Sequence, residues 1–276
     1  MAAALHFLRR MARRLRAAIA PVPEISAALW LQTLQRHAFL AALPLQDQAK
    51  LRALSALFLQ HKEFSGAHGL QVTDAMAVAI AAQACLPLLH WGAPETALAW
   101  YDDFVGIVVH PAEALARRKA VDEAGVVHHY HEVLLGEAME HGPVMLSWPA
   151  VDGAGRHGAT SVVIHEFMHK IDMRNGPADG CPPLPAGFLG QAGARNAHAA
   201  WQAAWQPAYE QFREQVIIAE RFGGDWPWLD AYGATAPAEF FAVACEAYFV
   251  DRPRFAQEFP TLAPMLQAFF QPALTG

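Results

Sequence analysis

The stretch Thr160-Ser-Val-Val-Ile-His165-Glu166-Phe167-Met168-His169-Lys-Ile-Asp172-Met-Arg-Asn175 carries an H-E-x-x-H pattern inside an apolar, helix-like run. Positions four apart lie on one face of an α-helix, so the imidazoles of His165 and His169 can reach a single metal ion. Neutral imidazole nitrogen suits zinc, and Glu166, one step along, is placed to act on a water activated by that ion. The expectation is the active site of a zinc hydrolase, most often a peptidase. Composition alone would produce such a pattern in roughly one chain in 25, so its surroundings decide its meaning. Those surroundings favour a buried helix. Thr160 or Ser161 can cap its start after the flexible stretch from Gly153 to Gly158, and Ile164, Phe167, Met168 and Ile171 give it an apolar face.

Three protein ligands plus water are the norm for catalytic zinc, so a third must come from elsewhere. A metzincin would continue with glycine and a further histidine, where this chain has Asp172 and Asn175, which excludes that class. The alternative is a glutamate from a later helix. The run Pro237-Ala-Glu239-Phe-Phe-Ala-Val-Ala-Cys-Glu246-Ala-Tyr248 has proline in its first turn and stops before Pro253. Glu239 and Glu246 share a face, and two carboxylates in so apolar a helix are costly unless paired or bound to a cation. One as ligand and the other as partner to a histidine would resolve that cost; both pointing to solvent is the plainer alternative. Thermolysin-type enzymes carry E-x-x-x-D on this second helix, whereas Val243 stands four residues after Glu239, which argues against a close relative of thermolysin.

Taken with His165-Glu166-Phe167-Met168-His169-Lys-Ile-Asp172, the segment Tyr232-Gly-Ala-Thr-Ala-Pro-Ala-Glu239-Phe-Phe-Ala resembles the Mlc titration factor A family of bacterial zinc metallopeptidases. The site also resembles that of the catalytic domain of anthrax lethal factor, with a tyrosine seven residues before the glutamate ligand. Three further segments agree: Ala81 to Leu89, Gly136 to Trp148, and Asp172 to Gly180 followed by Pro182-Pro183-Leu184. The resemblance implies one zinc ion per chain on His165, His169 and Glu239, with Glu166 as general base. Tyr232 would donate its phenol to the oxyanion, beside the metal. Asp172 and Glu246 are expected to support the ligands, Asp172 by orienting a histidine or by tying down the loop from Arg174 to Gly180. The resemblance also implies aminopeptidase-like action on small peptides and association with a Mlc-type repressor of sugar-uptake genes. The competing reading is a zinc-binding regulator, latent or non-catalytic, that sequesters such a repressor.

The remaining composition is permissive. A hydrophobic content of 54% allows a substantial core, and a formal net charge of −6 provides no general basic field for direct nucleic-acid binding. Cys85, Cys181 and Cys245 are odd in number and far apart, which suits a reducing cytoplasm better than a disulfide framework. No apolar run is long enough for a membrane span. Arg9, Arg10, Arg13, Arg14 and Arg16, with Leu8, Met11, Leu15 and Ile19 at helical spacing, make residues 5–19 a basic amphipathic helix or arm. Such a helix can touch an anionic membrane surface weakly or lie on an acidic partner, although a solvated arm is the plainer reading. It does not read as a secretory signal, because the apolar core Ala17 to Ala20 is too short and is cut by Pro21 and Pro23.

The fold class expected is α+β and zincin-like, of gluzincin type: mostly helical, with a small mixed sheet before the active-site helix. Residues 1–20 form the arm and 21–276 one catalytic domain, helical to about 100, with sheet and active helix over about 101–176 and the loop and third-ligand helices over about 177–276. Within it, Leu29 to Leu59 reads as two helices broken near Pro44, and Thr73 caps a helix through Ala84. Phe104 to Val109, Val126 to Val133 and Pro143 to Trp148 read as strands, the last an edge strand able to pair with an extended peptide. His129 and His131, on one strand face, and His198 read as surface or structural residues. Gly176 to Gly193 reads as a loop, and Asn196 to Arg221 as a long helix kinked at Pro207 that packs Trp201, Trp205, Tyr209 and Phe212.

Overall fold

The computed structural model describes residues 24–112, 114–121, 127–134, 136–139, 142–156 and 158–272, with 114–121 and 127–134 described by backbone alone. The arginine-rich segment 5–19 therefore lies outside the described residues. Three helices come first among the described residues: α1 (Ala27–Arg36), α2 (Ala38–Ala41) and α3 (Leu45–His61). The expected break near Pro44 is present. A second break falls at His37, which is extended (φ −121°, ψ 93°) and fully buried between α1 and α2. The strand β1 (Glu63–Gly66) follows, then α4 (Asp74–Cys85), whose first turn is capped by Thr73 accepting from Met76 N–H at 3.3 Å. Helix α4 is buried along most of its length, and short alanines let its neighbours approach closely.

After α5 (Pro94–Leu98) come β2 (Gly106–His110), an antiparallel ribbon of β3 (Ala114–Val121) and β4 (Val127–Leu134), then β5 (Gly136–Ala138) and β6 (Val144–Ser147). The main sheet has the order β1-β2-β6-β5, with the first three strands parallel and β5 antiparallel. Two expectations are corrected here. Among the described residues six strands are present rather than three, and the segment from Val144 is an interior strand, not an edge. The edge beside it is β5, a short Gly-Glu-Ala strand that pairs Gly136 with Leu146 and Ala138 with Val144.

Helices α6 (Trp148–Gly153) and α7 (Val162–Asp172) follow the sheet, and α7 packs against β5, β6 and α4. The long α8 (Ala194–Phe222) continues through Pro207 without a break. The proline sits on the exposed side, where the carbonyl it leaves unpaired can turn to water. Its buried face carries Trp201 and Trp205, stacked with ring centroids 4.8 Å apart, against Phe240 and Phe241 of α9 (Pro237–Val250). Helices α10 (Arg252–Glu258) and α11 (Ala263–Phe270) close the far side of the core. No helix among the described residues is long and apolar enough to cross a membrane.

Candidate metal centre

Two apolar helices bring the site together. Ser161 caps α7 by accepting from Ile164 N–H, and burial of Val163, Ile164, Phe167, Met168 and Ile171 turns His165 and His169 toward α9. Pro237 opens α9, and the seven-residue spacing of Glu239 and Glu246 points both carboxylates back at α7. His165 Nε2 and His169 Nε2 stand 3.2 Å apart, and Glu239 Oε2 is 3.0 Å from the first and 3.2 Å from the second. His165 Nδ1 lies 2.8 Å from Glu246 Oε1. A carboxylate only accepts, so Nδ1 carries a proton toward Glu246, and in the neutral ring Nε2 presents its lone pair to the site. Lone pairs of His165 and of a carboxylate therefore meet at hydrogen-bond distance, an arrangement that calls for a cation between them. His165, His169 and Glu239 form a group able to hold a metal ion.

The charges agree. Burial opposes a positive His165, yet hydrogen bonds and charge from Glu239 and Glu246 outweigh it and favour the protonated ring. Burial likewise acts to raise Glu239, but hydrogen bonds from the two imidazoles hold its carboxyl down at about 2. The pocket is thus built to bind positive charge. Glu246 makes two contacts: Oε1 meets His165, and Oε2 accepts from Ser161 N–H at 2.5 Å.

Glu166, on the next position of α7, is 5% exposed, and burial pushes its carboxyl up to about 7, with the histidines opposing and Glu239 and Glu246 adding. Its carboxylate lies on the backbone of β5. A Cβ placed on Gly136 would stand 2.5 Å from Glu166 Oε1, so any larger residue there would have to displace the Glu166 side chain. Tyr232 sits in a 3₁₀ turn (Ala231–Ala234), partly exposed, with its ring 6.0 Å from that of His165. The turn is tied by Asp230 accepting from Tyr232 N–H and by Tyr209 donating to Ala234 O.

Asp172 is fully buried at the end of α7. Its Oδ2 accepts from Gly180 N–H at 2.8 Å and anchors the loop, while no hydrogen bond to a histidine is formed among the described residues. Gly180 has φ +83° and runs so close to α9 that a Cβ would come within 2.7 Å of Pro237 O, and Trp201 Nε1 donates to its carbonyl. Asp172 thereby ties α7, α8 and α9 at one point. His198 is exposed, as expected, while His129 and His131 fall in β4, described by backbone alone. Sequence reasoning did not find Gly136, Gln83 or Lys170 as contributors. Lys170 is fully buried and donates to Met139 O (2.5 Å) and Gly142 O (3.0 Å), pinning the turn between β5 and β6. A lysine in the apolar stripe of α7 was its only signal.

Two histidines and a glutamate thus converge beside a buried acid in a group able to hold a metal ion. The chain belongs to the glucose-regulated metallo-peptidase M90 family, which it matches over residues 9–271. A protein of Cronobacter sakazakii named Mlc titration factor A is 33% identical over 248 residues, covering 89% of this chain and 84% of that protein. Proteins of the same name from Salmonella arizonae and Klebsiella pneumoniae are 31% and 32% identical over 233 residues, 84% of this chain and 86% and 82% of theirs. The family resemblance carried by the H-E-x-x-H and Tyr232 to Glu239 segments is thereby borne out.

Proposed function

We propose that the chain is a zinc-dependent peptidase of gluzincin type, with His165, His169 and Glu239 as metal ligands and Glu166 as general base. The observation that carries this reading is the convergence of three ligand atoms within 3.2 Å of one another, one residue from a buried glutamate. Zinc fits the donor set, since tetrahedral bonds of about 2.0–2.1 Å separate neighbouring donors by about 3.3 Å. When bound, zinc would supply Lewis acidity toward water and toward the scissile carbonyl.

The protein's own residues supply the rest. Glu166 takes a proton from water as the oxygen attacks the carbonyl carbon, then delivers it to the amine nitrogen as the C–N bond breaks. Tyr232 donates its phenol to the oxyanion. Glu246 holds His165 in the tautomer that exposes Nε2. The outer edge of β5 pairs with no other strand among the described residues, which supports docking of an extended peptide there. Three buried free cysteines support a reducing compartment.

The relatives' name supports a second reading, in which the chain regulates a Mlc-type repressor by binding it. Hydrolysis of a panel of amino-acid and short-peptide amides by metal-quantified protein, wild type beside Glu166→Gln, separates the two. Turnover that tracks zinc and disappears in the variant supports the peptidase. Zinc bound without turnover on any substrate favours the regulator.

A further inference from the structure

Gln83 is wholly buried in the alanine-rich helix α4, where an amide side chain is costly unless every polar atom is met. Its Nε2 lies 3.3 Å from Ala79 O and 3.4 Å from Val151 O, with His37 Nε2 also at 3.4 Å. Carbonyls only accept, so the amide nitrogen must face them and Oε1 must face the other way. There Oε1 meets Ser161 Oγ at 2.8 Å, and since Oε1 also only accepts, the serine hydroxyl donates its proton to Gln83. The serine's lone pairs remain for Ile164 N–H, 3.2 Å away. Each direction in this chain is fixed by the one before it.

Ser161 is where the chain joins the metal centre. Its backbone N–H donates to Glu246 Oε2, and Glu246 Oε1 receives the proton of His165 Nδ1. We infer that Gln83 is a positioning residue for the metal site, acting through Ser161 and Glu246 to aim His165 Nε2. This inference rests on His165 being a metal ligand. Gln83 fastens Ser161 to α4 and to the end of α6 at Val151, elements outside the two ligand helices. The N-cap of α7 is thereby held in place as the seat of Glu246, as well as the start of a helix. Outer partners of metal ligands typically affect affinity by 10- to 100-fold, and a residue one bond further out should fall at the lower end.

The test measures zinc affinity by competition with a chromophoric chelator, alongside thermal unfolding of the metal-free protein. The proteins are wild type, Gln83→Met, Ser161→Ala and the double variant. Gln83→Met keeps the volume and removes the hydrogen bonds. The expected result is zinc binding weakened about 10-fold in Gln83→Met, with the double variant no weaker than Ser161→Ala alone, because both changes cut the same link. Affinity within twofold of wild type, with only a lowered metal-free Tm, would overturn the inference by reducing Gln83 to core packing. Additive losses would overturn the route through Ser161. If Gln83→Met does not fold, Ser161→Ala reads the same bond from its other end, and unaltered zinc affinity there overturns the inference as well. Wild type that binds no zinc would instead overturn the metal centre itself, together with anything built on it.

Discussion

Glu239 and Glu246 lie one heptad apart on α9, and their surroundings assign them different work. Glu246 is enclosed, with an oxygen on Ser161 N–H and the other on His165 Nδ1, whereas Glu239 Oε2 faces both imidazole Nε2 atoms. Glu239→Ala should therefore strip the protein to well below one zinc per chain. Glu246→Gln should leave zinc bound with an affinity lower by about 10- to 100-fold, measured by chelator competition. Equal zinc loss in both would contradict the division. Gly136 gives a second prediction at this scale. Gly136→Ala pushes on the Glu166 carboxylate and should cut kcat by about 100-fold, the scale of a 1 Å misplacement, with zinc content unchanged. Shortening the acid should remove the conflict, so adding Gly136→Ala to a Glu166→Asp protein should cost little further activity. A full second loss in the double variant would show that Gly136 acts elsewhere.

Among the elements, α7 and α9 were legible because capping, proline placement and apolar spacing are local signals, and Ser161, Thr73 and Pro237 stand at the helix starts that local chemistry favours. That His165, His169 and a carboxylate of α9 would meet was legible for the same reason, since their spacing along two helices limits where they can point; the choice of Glu239 over Glu246 came from the family resemblance, not from spacing. The sheet was read less well. Glu63–Gly66 and Gly136–Ala138 are short and almost empty of β-branched residues, so nothing in them announces a strand until a neighbour pairs with it. Missing Gly136–Ala138 made Val144–Ser147 look like an edge. Contacts such as Lys170 to Met139 O, or Asp172 to Gly180, join positions whose proximity only the folded chain creates. Asp172→Ala would leave the Gly180 N–H buried and unpaired, and should lower stability by about 1–3 kcal/mol while speeding amide exchange at Gly180. An unchanged urea midpoint would show that the anchor is dispensable.

For the molecule as a whole, two buried lysines approach the ring of Phe104, Lys62 Nζ at 3.7 Å and Lys170 Nζ at 4.6 Å from its centroid. Burial pushes Lys62 down to about 7, against the pull of Asp103, although its ammonium donates to the carbonyls of Tyr101 and Phe104. Between pH 7 and 10.5 the unfolded chain keeps a proton at this residue that the folded protein has released, so the Lys62 contribution makes folding more favourable as pH rises across that window. The stability of wild type relative to Lys62→Met, from urea unfolding at pH 7, 8 and 9, should therefore increase with pH; a flat difference would place the charged form comfortably in the core. Zinc should add stability of its own by binding only the folded chain, so that excess zinc raises the Tm of wild type and leaves that of Glu239→Ala in place.

On this reading His165, His169 and Glu239 hold zinc. Anomalous diffraction from crystals of the zinc-loaded protein, collected on both sides of the zinc absorption edge, tests it most directly. The predicted result is one strong peak per chain in contact with His165 Nε2, His169 Nε2 and a Glu239 carboxylate oxygen, with Glu246 in contact with the His165 ring and not with the metal. A peak ligated by other side chains, or none between α7 and α9, would contradict it.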